Sequence, residues 1–434
     1  MNNDSEKIKN VPKNDSCFMQ EKQGRGKRPL SLYIHIPFCI RKCLYCDFLS
    51  GQASQEEKEV YIKKLLEEMD YWKEKVQEEY FIRTVFLGGG TPTCLEPSQL
   101  LRIGRKLSEF PMAGQAVRAK KENIVEQLPE QKESSPEQFF YEFTAEANPG
   151  TLTKEKVQVL KEIGANRVSL GLQSAQEKEL KALGRVHSYE DFLESFALLR
   201  SCGFQNINVD LMADLPYQTL ESYQLTLSSV LELEPDHISS YSLIVEEGTP
   251  FFKMQKEGTL FLPDEETDRQ MYGLTKEILA KKGYERYEIS NYAKQGKECR
   301  HNLTYWEMGE YLGLGLGASS YFQGYRFSNT DRQQKYCSLP AGHLQKEWKK
   351  LSKKEEMEEY VFLGLRMRKG ISLEDYKKRF GVDFKKCYQE VLPFLFKNCL
   401  LAEDGNHGRI YLTEKGIDVS NVVLADFLLG TAVK

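Results

Sequence analysis

Tyr33-Ile-His-Ile-Pro-Phe-Cys39-Ile-Arg-Lys-Cys43-Leu-Tyr-Cys46-Asp-Phe48 joins an apolar run to three cysteines within eight residues. The run, residues 32–36, has the length and composition of a strand. Three thiolates on one tight loop make a soft, anionic pocket suited to iron–sulfur or zinc. They leave a [4Fe–4S] cluster one ligand short, so one iron stays open to a small molecule. A structural zinc site needs four ligands, usually as two pairs, and the nearest fourth candidates, His35 and Asp47, give no familiar zinc spacing. The other seven cysteines (Cys17, Cys94, Cys202, Cys299, Cys337, Cys387 and Cys399) are scattered. Ordinary buried thiols therefore do not account for the clustering.

Downstream, apolar runs recur at residues 84–87, 141–145, 167–171, 207–212 and 237–243. Amphipathic stretches lie between them at 55–73, 154–163, 189–202 and 220–233. This alternation predicts an α/β fold with a parallel sheet over 29–290. Six strand–helix units fit a partial barrel, whose function gathers at the carboxyl ends of its strands. The cysteines, a glycine run Gly88-Gly89-Gly90-Thr91-Pro92 and Glu146-Ala-Asn-Pro149 all follow apolar runs, as that placement requires.

Residues 1–28 are polar and predict a disordered extension, and 112–138, rich in Glu, Gln and Pro, predicts a disordered insertion. Residues 291–349 read as a linker region with a motif of its own. From 350 to 434, helical patterns at 355–365, 371–380 and 387–397 precede a hairpin at 400–412 with Asp404-Gly405 at its turn. That order predicts a small winged-helix-like α+β domain, read as a cap because it carries no strong basic excess. The chain has 434 residues, a formal net charge of −4 and a pI near 6.0, which give no general affinity for nucleic acid. No apolar run is long enough to span a bilayer, and the first residues lack a signal-peptide core. Ten cysteines around an oxygen-sensitive loop point to a reducing cytoplasm.

The quoted cysteine segment resembles the radical S-adenosylmethionine (SAM) superfamily. More narrowly it is similar to the branch that holds oxygen-independent coproporphyrinogen III dehydrogenase and the heme chaperone HemW. The likeness covers about residues 30–430 outside the insertion. It implies a partial (β/α)6 TIM-like radical SAM barrel, a [4Fe–4S] cluster on Cys39, Cys43 and Cys46, and SAM chelating the fourth iron. Alone, the glycine run would mean a tight turn; the likeness implies that Gly89, Gly90 and Thr91 meet the SAM amine. Glu146 is either a solvated loop charge or an acceptor for ligand groups, and the match to the family's E-x-N-P favours the second. Gln173, Arg185 and Asp210 match SAM contacts in family order, and Tyr33 and Tyr45 fall against SAM. His35 and His187 read as structural.

Two features separate the paralogues. The dehydrogenase continues C-x-C after its third ligand, whereas Cys46 is followed by Asp47-Phe48. Arg300-His-Asn-Leu-Thr-Tyr-Trp306 matches the HNxxYW motif of the chaperone group. The likeness thus implies a heme chaperone with His301 as an axial iron ligand beside Tyr305 and Trp306, and with heme-acceptor proteins as partners. Membrane contact through a partner and a homodimer stay open, and the dehydrogenase is the alternative. Where the family carries a histidine in G-A-H-S-Y, this chain has Ser319.

Overall fold

A computed structural model describes residues 26–113 and 141–428. Six strands pair in parallel in chain order: β1 (Arg28–Ile36), β2 (Tyr80–Gly89), β3 (Glu142–Ala147), β4 (Arg167–Gln173), β5 (Ile207–Ala213) and β6 (His237–Ser242). Each is followed by a helix: α1 (Gln55–Val76), α2 (Pro97–Ser108), α3 (Lys154–Glu162), α4 (Tyr189–Ser201), α5 (Leu220–Leu231) and α6 (Glu265–Lys281). This is the predicted α/β radical SAM-type barrel of six units. Helix starts are set locally. Ser54, Thr153, Ser188, Thr219 and Asp264 each accept a backbone N–H of the first turn, satisfying donors with no intrahelical partner.

Strand side chains alternate between the two faces of the sheet. One face carries Leu32, Ile34, Val85, Leu87, Phe143, Val168, Leu170, Val209 and Leu211, all fully buried against Tyr61, Leu65, Leu100, Leu160, Phe192 and Leu227 of the helices. Burying one such Leu or Ile contributes roughly 1.5–3 kcal/mol. The other face points into the barrel and is polar: Ser31, Tyr33 and His35; Thr84; Glu142, Thr144 and Glu146; Arg167, Ser169 and Gln173; Asn208 and Asp210; His237 and Ser239. Many of these groups hydrogen-bond to one another, as in Asn208 Nδ2 to Ser169 Oγ (2.6 Å) and His237 Nδ1 with Asn208 Oδ1 (2.6 Å), while the Thr144 hydroxyl and Arg167 Nε have no partner among the described residues.

The sheet runs past the predicted barrel boundary. Beyond β6 lie β7 (Glu285–Arg286) and β8 (Asn291–Ala293), and β8 pairs antiparallel with β6. On the other side, β9 (Tyr311–Leu314) lies parallel to β1. β10 (Ser319–Phe322), β11 (Tyr325–Asn329) and β12 (Gln345–Lys350) continue it to twelve strands. Residues 291–349 are therefore not a linker. These strands are short and broken by glycines, and they extend the sheet from the edges of β1 and β6. Between β8 and β9, helix α7 (Arg300–Trp306) sits under the amino ends of the strands. The Glu142 carboxylate of β3 accepts the N–H groups of Arg300 and His301, both at 3.0 Å.

The 1–28 and 112–138 expectations lie largely outside the described residues, with their edges corrected. Arg28 already belongs to β1, and Met112 bridges Ile82 of β2. The carboxy-terminal part is the expected α+β unit. Helices surround a three-stranded antiparallel sheet of β13 (Ile371–Ser372), β14 (Leu401–Asp404) and β15 (Arg409–Leu412), with a core of its own. The helix expected over 387–397 is two, Phe384–Cys387 and Leu392–Lys397, because Pro393 suits only the first turn of the second. Glu414 ties this unit to the barrel, accepting from Lys276 (3.0 Å) and Arg286 (2.9 Å), and within the unit it accepts from Arg368 (2.7 Å). Among the described residues no helix is long and apolar enough to cross a membrane.

Candidate functional site

The cysteines sit on a loop whose two ends are clamped. Cys39 N–H donates to Gly51 O (2.9 Å) and Gly51 N–H to Pro37 O (3.0 Å). The loop's middle is fastened by Leu44 N–H to Leu183 O (3.0 Å) and Phe251 N–H to Leu44 O (3.1 Å). His35 of β1 holds it from below. Its Nε2 donates to Leu49 O (2.9 Å), and its Nδ1 accepts the Tyr33 hydroxyl (2.9 Å). Burial holds this imidazole below its usual range, in keeping with a neutral ring that donates on one side and accepts on the other.

The glycine run is shaped around the same root. Gly89 has φ +109°, and a Cβ there would lie 2.3 Å from His35 Nδ1. A Cβ on Gly90 would lie 2.7 Å from Phe38 O and 2.8 Å from Ile36 O. Both glycines are needed so that the loop can pack on β2, a demand beyond the ligand approach expected of them. Gly89 N–H donates to Glu146 Oε2 (2.9 Å). Burial pushes the Glu146 carboxyl up to about 7; this N–H opposes the shift and Asp210 adds to it.

These groups converge on one cleft of about 340 Å³ at the carboxyl ends of the strands. Of the expected residues, Cys39, Cys43, Cys46, Tyr45, Gly89, Gly90, Glu146, Gln173, Arg185 and Asp210 line it. Arg185 spans its floor, giving Nη2 to Asn148 Oδ1 (2.8 Å) and Gly171 O (2.6 Å) and Nη1 to Cys43 Sγ (3.6 Å). Its buried Nε has no hydrogen-bond partner among the described residues. Asp210 accepts from Asn208 Nδ2 (2.7 Å) and Ser169 Oγ (3.0 Å), and burial raises its carboxyl. Gln173 sits at a bulge with φ +74°, strain of the kind that gathers at functional sites. A wider hollow of about 660 Å³ lies behind the loop, but its lysines are occupied: Lys58 Nζ by Cys94 O (3.1 Å) and Lys156 Nζ by Thr93 O (2.7 Å).

Three expected residues fall outside the cleft. Thr91 is buried behind the loop, donating to Cys39 Sγ (3.5 Å) and accepting from Asn148 Nδ2 (2.6 Å). Tyr33 lies one layer deeper, stacked on Phe86. His301 departs most. It is fully buried in the barrel floor, at the opposite end from the cysteines. Its Nδ1 pairs with Thr84 Oγ1 (2.8 Å). Because Thr84 gives its own proton to Ser31 Oγ (2.7 Å), the imidazole is the donor there. Its Nε2 accepts the Tyr305 hydroxyl (2.8 Å), so the lone pair required of an iron ligand is taken. Burial pushes the ring down to about 3, with the Arg167 guanidinium adding. The HNxxYW stretch is a plug that closes the barrel, and both nitrogens of His301, the expected iron ligand, are engaged by Thr84 and Tyr305 in this structure. Asn148, Ser169, Tyr241 and Met212 also line the cleft, beyond the residues expected from the motifs. Polar residues at every second strand position, as in Arg167-Val-Ser169, were the signal.

The donor set fits a [4Fe–4S] cluster. Three half-buried thiols face one cleft, and the Thr91 hydroxyl and Arg185 guanidinium already point at two of the sulfurs. Among the described residues no group of three acidic, histidine or cysteine side chains is placed to hold a single metal ion. Thiols that each ligate a different iron of one cluster need no such closeness.

Residues 33–230 match the radical SAM superfamily, and residues 351–419 match the HemN C-terminal domain. Heme chaperone HemW of Lactococcus lactis subsp. lactis is 37% identical over 404 residues, covering 93% of this chain and 98% of the relative. Heme chaperone HemW of Bacillus subtilis is 37% identical over 404 residues, covering 92% and 99%. The chain belongs to the HemW family of radical SAM proteins. A solved structure of coproporphyrinogen III oxidase (HemN) from Escherichia coli superposes with a TM-score of 0.76 over 92% of this chain and 90% of that one. At 21% identity, that likeness establishes the shared fold.

Two outcomes follow from the geometry. Gly89→Ala should strain the backbone and push His35 off Leu49, destabilising the fold by roughly 1–3 kcal/mol. The variant should hold less iron and sulfide after anaerobic reconstitution than wild type. His301→Ala should lower the melting temperature, because Thr84 and Tyr305 lose a buried partner, while leaving the Soret spectrum of added heme unchanged.

Proposed function

We propose that this chain is a cytoplasmic heme chaperone that binds heme, passes it to acceptor proteins, and carries a [4Fe–4S] cluster with SAM. The observation that carries this reading is the likeness along the whole chain, at 37% identity, to two heme chaperones. Phe48, where the dehydrogenase's C-x-C would place a further cysteine, supports it. Cys39, Cys43 and Cys46 are assigned to the cluster, which when bound supplies an electron at low potential.

The protein's own groups then have defined tasks. Gly89 and Gly90 leave backbone bare beside the cleft. Glu146 and Asp210 are carboxylates suited to the cationic amine and the ribose hydroxyls of SAM. Arg185, anchored by Asn148, offers its fork to a carboxylate. Tyr45 packs beside Phe251, holding the loop against the short helix Pro250–Lys256. Thr91 and Tyr33 act from behind, Thr91 on Cys39 and Tyr33 through His35.

A hemin titration beside an anaerobic coproporphyrinogen III assay tests the reading. Heme should bind, and SAM-replete reduced protein should yield no protoporphyrinogen. Turnover would establish the dehydrogenase alternative instead. SAM affinity should also depend on pH. With the Glu146 carboxyl near 7, its charge is present above that pH and lost below it. Calorimetry should show SAM binding weakening as pH falls from 8 to 6, approaching about tenfold per unit below the titration point. Glu146→Gln should bind SAM more weakly at pH 8 and lose most of that slope.

A further inference from the structure

Cys94 is one of the cysteines scattered along the sequence, yet the fold sets it against the cysteine loop. The segment after the glycine run is laced to the start of that loop. Gly90 N–H donates to Ile36 O (2.8 Å) and Thr91 N–H to Phe38 O (2.7 Å). Thr91 then touches both cysteines: its hydroxyl donates to Cys39 Sγ (3.5 Å), and its carbonyl accepts the Cys94 N–H (2.9 Å). Cys39 and Cys94 line the same hollow of about 660 Å³ behind the loop, and both are half-buried. Cys39 thus borders two spaces, the cleft on one side and the hollow with Cys94 on the other.

The loop carries an odd number of thiols. When an oxidant removes the cluster, two of the three can pair with each other and one is left over. Cys43 and Cys46 share a tight turn, with Cys46 N–H donating to Cys43 O (3.3 Å), and form the local pair. Cys39, held toward the hollow by Thr91, is the one left. An unpaired thiol open to solvent climbs the oxidation ladder to sulfinic acid, which thiol reductants do not reverse. We propose that Cys94 is the resolving thiol for Cys39: when peroxide strips the cluster, the two form a disulfide that keeps Cys39 reducible. Such a bond needs Cα atoms within about 7 Å, and the shared Thr91 contacts fasten the two segments side by side for it. Peroxide takes the Cys39 sulfur to sulfenic acid and releases one water. The Cys94 thiol then attacks that sulfur; the S–S bond forms, the S–O bond breaks, and hydroxide departs with the thiol proton as a second water. Two thiols thereby lose two electrons and two protons to one peroxide. Burial raises the Cys94 thiol, and Cys39 adds to the shift, so Cys94 stays protonated and reacts only with an oxidised partner beside it. This role needs the cluster on Cys39, Cys43 and Cys46 and is independent of heme.

The test uses the full chain with its cluster reconstituted without oxygen. Hydrogen peroxide is added until the cluster absorption is lost, free thiols are alkylated, and a non-reducing digest is read by mass spectrometry. A peptide pair linked through Cys39 and Cys94 should appear. After thiol reduction and a second reconstitution, wild type should regain most of its iron and sulfide. Cys94→Ala should load its first cluster as wild type does, carry sulfinic acid at Cys39 after peroxide, and then regain about half as much iron or less. If Cys94→Ala fails to load, the linked peptide of wild type decides by itself. Cys202→Ala should behave as wild type throughout. Alkylated Cys94 in oxidised wild type, a link from Cys94 to Cys43, or equal recovery in Cys94→Ala would each overturn the role. A wild-type chain that takes up no cluster would overturn the cluster assignment itself, and the first reconstitution reads that before any peroxide is added.

Discussion

The hydrogen bond from His35 Nε2 to the carbonyl of Leu49 is the joint on which the site depends. Mutual repulsion of three thiolates on one loop would spread it. The protein offsets this by tying the loop to β1 from inside the barrel. The imidazole must then be neutral and correctly oriented, which Tyr33 ensures by donating to Nδ1. It must also be closely covered, which Gly89 allows by having no side chain. A single such bond contributes only about 0.5–1.5 kcal/mol to stability. Its consequence is geometric: it places the cysteines at the carboxyl ends of the strands, facing Glu146 and Arg185.

The barrel interior supports that joint with polar chemistry instead of apolar packing. From the floor, His301 Nδ1 gives its proton to Thr84, which passes one to Ser31, while Glu142 caps α7. One layer up, Ser169, Asn208 and His237 bond to one another. Above them lie Asp210 and Glu146, whose carboxyls burial has raised. Arg167, nearly inaccessible, supplies positive charge to this interior and opposes both shifts. An unpartnered polar group is costly in such an interior, and the plug helix supplies partners to Glu142 and Thr84, so it belongs to the barrel's construction.

The cleft inherits its chemistry from this plan. Its depth is polar because the strands' inward faces are polar. The loops after β1 and β6 add Phe48 and Ile244 to its lining.

The primary sequence by itself determined the local events. Cysteine spacing, capping residues such as Ser54 and Ser188, and the alternation of runs with amphipathic helices depend on near neighbours and survive in any view of the chain. They were enough for the six units, for the cysteine loop and for ten of the thirteen expected site residues lining one cleft. Tertiary structure alone decided the rest. It showed that 291–349 adds strands, because which short runs pair onto the edges of β1 and β6 is settled only when the sheet is assembled. It placed His301 in the barrel floor with its two nitrogens paired to Thr84 and Tyr305, because which groups meet an imidazole depends on residues distant in the chain. It revealed that Gly89 and Gly90 make room for the cysteine loop, because contact between β1 and β2 is invisible until the strands lie side by side.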